Sequence, residues 1–394
     1  MKGLVLLFFL FFTFPSNSQQ LRVGVLRGHT VKRILFSFDN EEYSVYGDSV
    51  FIGELSVNQF FDLTYSGEKS ILVKKGGSLI GTYSKIFIIQ NKLKGSITLN
   101  TKIPNLKIRK YEDDFEISAS SNGLEIINLV DMSDYLSGVV ESEGGGRREL
   151  EYYKVQAIMS RSYAIKYQNK HDSEGFDLCD RVHCQAYHSM MRFTPKIDTA
   201  VAATKGVIML DDNQRTVDAY FHANCGGQTC LPEHVWNNSV PYLSSFKDTF
   251  CIYTKQATWT KRIDKDSWKN FLIQDYNFPI LDSAYNQYLF TFNQEDRLAF
   301  YGDPVLGIPL RDIRYKFGLK STYFSTKLEG NEVVITGRGF GHGVGLCQEG
   351  AMKMAFYGYS FDQIVKFYFP GVEFVNIDED AFFVQKSEEL KSFY

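Results

Sequence analysis

Glu143 stands between a short apolar helical pattern, Tyr135-Leu-Ser-Gly-Val-Val140, and three successive glycines, Gly144 to Gly146. A carboxylate held against buried surface has its charged form disfavoured, and it can then donate a proton near neutrality. Taken alone, a glutamate before a glycine joint is more often a solvated loop residue. Glu141 lies two positions away. On a helix residues two apart do not face each other, so the two are a poor acid and nucleophile pair.

Far along the chain, Gly337-Arg-Gly-Phe-Gly-His-Gly-Val-Gly345 removes every second side chain. Read as a strand, this segment bares its backbone on one face. Arg338, Phe340, His342 and Val344 then share the other face. Two uses stay open: close approach of a substrate, or tight packing of a helix. The segment is not a dinucleotide fingerprint, because Val344 stands where the third glycine belongs. Nor is it a P-loop, because no Gly-Lys-Ser/Thr follows.

A third group is Cys179-Asp-Arg-Val-His-Cys184, with His171 before it and His188 after it. Two thiols and two imidazoles can hold zinc tetrahedrally, although the spacing is not that of a common zinc finger. His171, Cys179, His183 and Cys184 are the candidate ligands of a structural zinc; no other cofactor is implied. In an oxidising compartment a Cys179–Cys184 disulfide competes with this reading. Cys225-Gly-Gly-Gln-Thr-Cys230 could close a small loop, or Cys225 could pair elsewhere, for example with Cys251. With Cys347 the count is six, and sequence does not choose among the pairings. No Gly-x-Ser-x-Gly or His-Glu-x-x-His motif supports a serine hydrolase or a zincin.

The elements that must position these residues follow from periodicity. Residues 19–105 read as a β-rich accessory domain, with strands at Leu21–Leu26, Ile34–Phe38, Val50–Leu55 and Ile86–Ile89. Leu106–Tyr111 and Phe115–Ser118 read as paired strands. Asn122-Gly123 is a hairpin signal before a strand at Leu124–Val130. A helix is predicted from Glu149 to Tyr167, with Tyr153, Ala157, Arg161 and Ala164 on one stripe. An arginine in such a stripe must find a carboxylate or backbone oxygens. Residues 207–260 read as a second β region, including Val217–Phe221 and Tyr242–Phe246. Residues 264–325 are mixed, a candidate insertion. Cys347–Tyr357 is predicted helical up to Gly358, and Ser360-Phe-Asp-Gln363 is a capping box opening a last helix. The expected class is α+β: the accessory domain, then a mixed catalytic domain over 106–371, then a tail over 372–394.

Bulk properties limit the function. The 394-residue chain is 44% hydrophobic and 23% charged, which is ordinary for a globular protein. A net charge of -3 leaves no basic footprint, which argues against nucleic acid as a partner. Aromatic residues at 15% suit a β-rich body and a surface that stacks on sugar rings. Lys2, the apolar run Leu4–Phe14 and Ser16-Asn17-Ser18 read as a signal peptide over residues 1–18. The run is too short to span a bilayer comfortably. No later stretch looks transmembrane. The expected location is outside the cytoplasm, in the periplasm or cell-wall space.

Taken in order, these segments resemble the stage II sporulation protein D family, which includes the amidase enhancer LytB. The resemblance rests on Tyr135–Glu143, Glu151–Ala164, Cys184-Gln-Ala-Tyr187, Thr204-Lys-Gly-Val207 and Tyr220–Thr229. Trp236, Pro241-Tyr-Leu243, Gly337–Gln348 with Gly350-Ala351, and Phe367–Gly371 complete it. It spans about Arg109 to Gly371. It implies a lytic transglycosylase that cleaves peptidoglycan glycan strands between N-acetylmuramic acid and N-acetylglucosamine, leaving 1,6-anhydro ends. The family's catalytic glutamate falls on Glu143, which reverses the reading of that residue taken alone. Arg161, Tyr163, His342 and Gln348 are implied to bind substrate or orient the acid. The enhancer name implies a second role, as a non-catalytic partner of a wall amidase. The chain departs from the family at Gly144–Arg148, where a Met-Pro-type turn is usual, and at Cys347, where a small polar residue is usual.

Overall fold

A computed structural model describes residues 20–38, 43–55, 59–67, 69–91, 95–188 and 194–379. The signal-peptide assignment and the end of the tail lie outside the described residues. The architecture is α+β, as the patterns predict. Two compact units divide the chain. Among the described residues, one comprises those from 20 to 135 together with 169–188, and the other 136–168 together with 194–379.

The first unit holds two largely antiparallel sheets. The seven-stranded sheet runs in the order Leu178–Cys179, Gln20–Val25, Leu124–Asp131, Asp114–Ala119, Lys85–Gln90, Tyr43–Gly47, Val50–Leu55. The six-stranded sheet runs Arg109–Glu112, Ser96–Ile103, Arg33–Phe38, Phe60–Gly67, Ser70–Lys75, Ser78–Tyr83. Side chains alternate along a strand, so Ile34, Phe36 and Phe38 are buried while Arg33 is exposed. Phe36 meets Phe115 edge-on with ring centroids 5.8 Å apart, which joins the cores of the two sheets.

Asn122-Gly123 does turn a hairpin: the Ser120 N–H donates to the Gly123 carbonyl at 2.8 Å between two paired strands. The predicted pairing of Leu106–Tyr111 with Phe115–Ser118 does not form. Arg109–Glu112 joins one sheet and Asp114–Ala119 the other. Asp113, at φ 62°, redirects the chain between them. Because both strands complete the sheets built by residues 20–103, no structural boundary falls at 105/106.

The second unit is organised by helices. They are α1 Met132–Gly144 (whose first turn belongs to the first unit), α2 Leu150–Lys166, α3 Pro195–Ala203 and α4 Glu233–Trp236. The rest are α5 Lys265–Tyr276, α6 Ser283–Asn286, α7 Leu310–Phe317, α8 Gln348–Phe356 and α9 Phe361–Tyr368. α2 is buried from Tyr152 to Ala164 except at Lys154. A helix buried all round must satisfy its polar side chains internally. Ser162 Oγ accepts from Met209 N–H at 3.0 Å. Arg161 donates to the Val207 carbonyl at 3.0 Å and the Val201 carbonyl at 3.4 Å. The strand Val207–Leu210 pairs with Glu373–Asn376, so part of the predicted tail is a strand of this unit. The predicted capping box at Ser360 and Gln363 is present on α9.

Residues 258–338 form a satellite with its own core. Thr258–Asp264, Glu332–Arg338 and Phe324–Glu329 make a three-stranded sheet in that order. Trp268 on α5, Ile313 on α7, Tyr301 and Ile335 fill the core. The candidate insertion over 264–325 lies within this satellite.

Two expectations are corrected here. The second β region is mostly irregular: in residues 211–257 the only described strand is Phe221–His222, because Gly, Pro and Asn break the apolar runs. The glycine segment is not a strand beyond Arg338. Gly339, Gly341, Gly343 and Gly345 take φ of 76°, 110°, 86° and 71°, which abolishes the two-residue alternation. The glycines serve close approach of the chain to itself. A Cβ on Gly339 would stand 2.5 Å from the Asn224 carbonyl oxygen, and one on Gly345 2.3 Å from that of Tyr220.

This contact makes a testable distinction. Gly345→Ala should cost about 2 kcal/mol or more, because positive φ and a backbone clash act together. Gly358 has φ 89° with open space around it, so Gly358→Ala should cost only about 1 kcal/mol. Urea unfolding of the two variants measures the difference; equal losses would contradict the assigned clash.

Candidate functional site

Glu143 lies in the last turn of α1 and is half-buried. The buried face of α1, with Leu136, Val139 and Val140, fixes the helix. Ser137 adds a bond to Asp198 of α3 at 2.8 Å. Beside the acid, Gln348 at the start of α8 donates to the Glu143 main-chain carbonyl at 3.5 Å and to Gln156 Oε1 at 3.2 Å. Tyr152 also donates to Gln156 Oε1, at 3.3 Å, and Gln156 in turn donates to Ser160 Oγ at 3.3 Å. Burial, then the nearby Glu143 charge, raises the Tyr152 phenol well above its ordinary range, so it stays protonated and a donor. The acid therefore sits beside a buried chain of hydrogen bonds running along α2.

The loop after the acid is tied down by Tyr153. Its hydroxyl donates to the Gly145 carbonyl and accepts from Arg148 N–H, both at 3.0 Å. Gly145 takes φ 67°. The three glycines let the chain leave α1 sharply, and one phenol closes the turn. Tyr152, Tyr153 and Gln156 were not anticipated as site residues. The signal was legible in Tyr152, Gln156 and Ser160, polar groups at four-residue spacing inside a helix.

The other predicted residues fall in different places. Gln348 touches the main chain of Glu143, as above. Arg161 is 3% exposed and committed to backbone oxygens, with burial pulling its pKa to about 10. It remains charged at neutral pH and braces α2; the structure does not present it to a substrate. Tyr163 is buried and packs on Tyr167 with centroids 4.6 Å apart.

His342 lies in the glycine segment. Its Nε2–H donates to the Phe221 carbonyl at 2.9 Å and its Nδ1 accepts from Val344 N–H at 3.1 Å. Burial lowers its pKa to about 4; the Phe221 bond opposes this shift, and the Arg314 and Arg297 charges add to it. The ring is thus a neutral cross-link at pH 7. The exposed Trp236 ring lies 5.1 Å from it, and Tyr220 lies 4.5 Å from Trp236, an aromatic patch suited to stacking. A cleft of about 530 Å3 lined by Lys166, Asp211, Asp218 and Tyr242 includes none of the predicted site residues.

In the first unit the four predicted metal ligands come together. The ligand atoms of His171, Cys179, His183 and Cys184 lie within 4.8 Å of one another, and His188 is not among them. Cys184 Sγ is 3.4 Å from His171 Nε2, and Cys179 Sγ is 3.8 Å from His183 Nδ1. Pairing of Leu178–Cys179 with Gln20–Val25 anchors the first thiol. Glu174 lies 2.5 Å from His171 Nδ1. That contact places the proton on Nδ1 and aims the Nε2 lone pair at the cluster, the usual carboxylate support of a metal-binding imidazole. The donor set and its outer contact fit zinc.

The comparisons bear on this arrangement. The sequence pattern of the family described as "Stage II sporulation protein" matches residues 120–210, which include Glu143, all of α2 and the four metal-ligand candidates. Stage II sporulation protein D of Bacillus subtilis (strain 168) is 30% identical over 275 residues, covering 64% of this chain and 76% of that protein. The chain belongs to the stage II sporulation protein D family. An uncharacterized protein of Brachyspira hyodysenteriae is 28% identical over 266 residues, 64% of this chain and 68% of its own. The amidase enhancer of Bacillus subtilis (strain 168) is 27% identical over 293 residues, 60% of this chain but 39% of its own. Membership of the stage II sporulation protein D family agrees with the resemblance drawn from the ordered motifs.

Two measurements test the local assignments. Tyr153→Phe should accelerate tryptic cleavage after the exposed Arg147 or Arg148 and cost about 1 kcal/mol of stability; unchanged cleavage would mean that the phenol does not hold the loop. For His342, a folded pKa near 4 against an ordinary 6.5 means that protonation favours the unfolded state. Its stability contribution is complete above pH 6.5 and is lost as pH falls toward 4. Each unit of depression is worth about 1.4 kcal/mol. His342→Gln should therefore show a shallower fall in melting temperature from pH 7 to pH 4 than the wild type.

Proposed function

We propose that this chain is an exported peptidoglycan lytic transglycosylase with Glu143 as its one acid and base. The observation that carries this reading is the seating of Glu143. It terminates a fixed helix, its main chain is held by Gln348, and its loop is closed by Tyr153. Such restraint suits a group that must give a proton and take one back at the same place.

In the proposed reaction, protonated Glu143 donates to the oxygen linking N-acetylmuramic acid to N-acetylglucosamine. The C1–O bond breaks and positive charge develops at C1. The Glu143 carboxylate then takes the proton of the muramic 6-hydroxyl as O6 bonds to C1. The products are a 1,6-anhydro end and a free 4-hydroxyl, and Glu143 ends protonated as it began. No water is consumed, so no second carboxylate is required to activate one, unlike a glycoside hydrolase. The Trp236 and Tyr220 rings offer a stacking surface for sugars. We assign a structural zinc to His171, Cys179, His183 and Cys184, where it would tie the 171–184 loop to the edge of the first sheet.

A second reading follows from the relative named amidase enhancer. There the chain would bind wall glycan without cutting it and stimulate a separate amidase. Glu143→Gln separates the two. It removes the proton while keeping shape, so glycan cleavage should fall by about 100-fold or more with little loss of stability. Mass spectrometry of purified glycan strands, with and without peptide stems, reads the anhydro ends. Equal cleavage by wild type and variant would remove Glu143 from the mechanism. Intact glycan from both, with faster amidase action in their presence, would favour the second reading.

A further inference from the structure

A second gathering of metal-type ligands lies in the second unit. Cys225, Asp248, Cys251 and Cys347 are all buried, and their ligand atoms lie within 4.8 Å of one another. They come from three separate stretches of chain. Cys225 follows the strand Phe221–His222, Asp248 and Cys251 share a loop, and Cys347 caps the N-terminus of α8.

Backbone N–H groups are aimed at the Cys347 sulfur, and Cys225 Sγ donates to Asp248 Oδ2 at 3.3 Å. Cys347 Sγ accepts from Cys225 N–H at 3.2 Å and Gly350 N–H at 3.4 Å. Donors aimed at sulfur stabilise its negative form, as helix N-termini do. Asp248 is 0% exposed, and among the described residues none of the ion pairs includes it. Its carboxylate accepts from Tyr368 Oη at 2.8 Å and Phe250 N–H at 2.9 Å. A buried carboxylate among sulfurs without a counter-cation is costly. A divalent ion removes that cost.

Cys225 Sγ and Cys251 Sγ are 3.3 Å apart. A disulfide needs about 2.05 Å, whereas tetrahedral bonds of about 2.3 Å to zinc place two sulfurs about 3.8 Å apart. The observed spacing is nearer the second. Cys230, the other partner considered for Cys225, is buried elsewhere, beside Arg297.

We propose that Cys225, Asp248, Cys251 and Cys347 form a second, structural zinc site. Three soft sulfurs and one carboxylate select zinc over hard cations. All four positions would be filled by protein, which is the pattern of a structural rather than a catalytic ion. The ion would pin the N-terminus of α8, where Gln348 follows the ligand Cys347 and reaches Glu143 and Gln156. Arg297 braces the same turn from the satellite, donating to the Cys225 carbonyl at 2.6 Å and the Gln228 carbonyl at 2.7 Å.

The test uses the full chain carrying Cys179→Ser and Cys184→Ser, which removes the thiols of the first cluster. Elemental analysis of this variant should find about one zinc per chain. Exchange with cobalt(II) should give the near-ultraviolet absorption of thiolate bound to cobalt. Adding Cys225→Ser or Asp248→Asn should remove most of the zinc and lower the melting temperature. If those variants do not fold, the cobalt spectrum of the double-serine background alone decides. Absence of both zinc and the thiolate–cobalt absorption in that background overturns the proposal. So does a Cys225–Cys251 disulfide found by non-reducing peptide mapping.

Discussion

The second unit depends on satisfying the polar groups of one buried helix. α2 carries Gln156, Ser160, Arg161 and Ser162 where a buried helix would ordinarily be apolar. Each unmet group would cost about 1–3 kcal/mol. Their partners come from three other elements and, for Ser160, from Gln156 on α2 itself. Gln156 meets α8, Arg161 meets the end of α3 and the strand at Val207, and Ser162 meets the same strand at Met209. Directional bonds of this kind fix the position of each neighbour more tightly than apolar contact would. The proposed acid inherits that precision, because Gln348 bonds to Gln156 and to Glu143 at once.

Much of this is legible in the amino-acid sequence. The arginine in the α2 stripe demanded carboxylate or carbonyl oxygens, and it found carbonyls. The helix boundaries at Glu149, Gly358 and Ser360 followed from capping and glycine. That His171, Cys179, His183 and Cys184 lie together was foreseeable because they are close in sequence. The Cys225, Asp248, Cys251 and Cys347 group was not, because Cys347 lies more than ninety residues beyond the others. Sequence spacing carries no information across a satellite of that length.

The glycine segment failed for a different reason. Alternating glycine looks like a strand because strands have a period of two. Here the period arises from backbone handedness: every second residue takes positive φ, and the chain folds against residues 220–226. His342 then becomes a neutral brace between Phe221 and Val344. A reading based on side-chain faces had no means to see this, because it assumed the extended backbone that the glycines abolish.

The path of the chain between the units also sets an order of assembly. The strand Leu178–Cys179 closes the edge of the seven-stranded sheet beside Gln20–Val25. Residues 136–168, which belong to the other unit, are made before it. A chain emerging N-terminus first therefore exposes α2, with its buried arginine and apolar faces, while the first unit still lacks an edge. α2 must then wait for α8 and α9, about two hundred residues downstream, before all its partners exist. The first unit has its last strand once Leu178–Cys179 is made, whereas α2 stays uncovered until the C-terminal helices arrive.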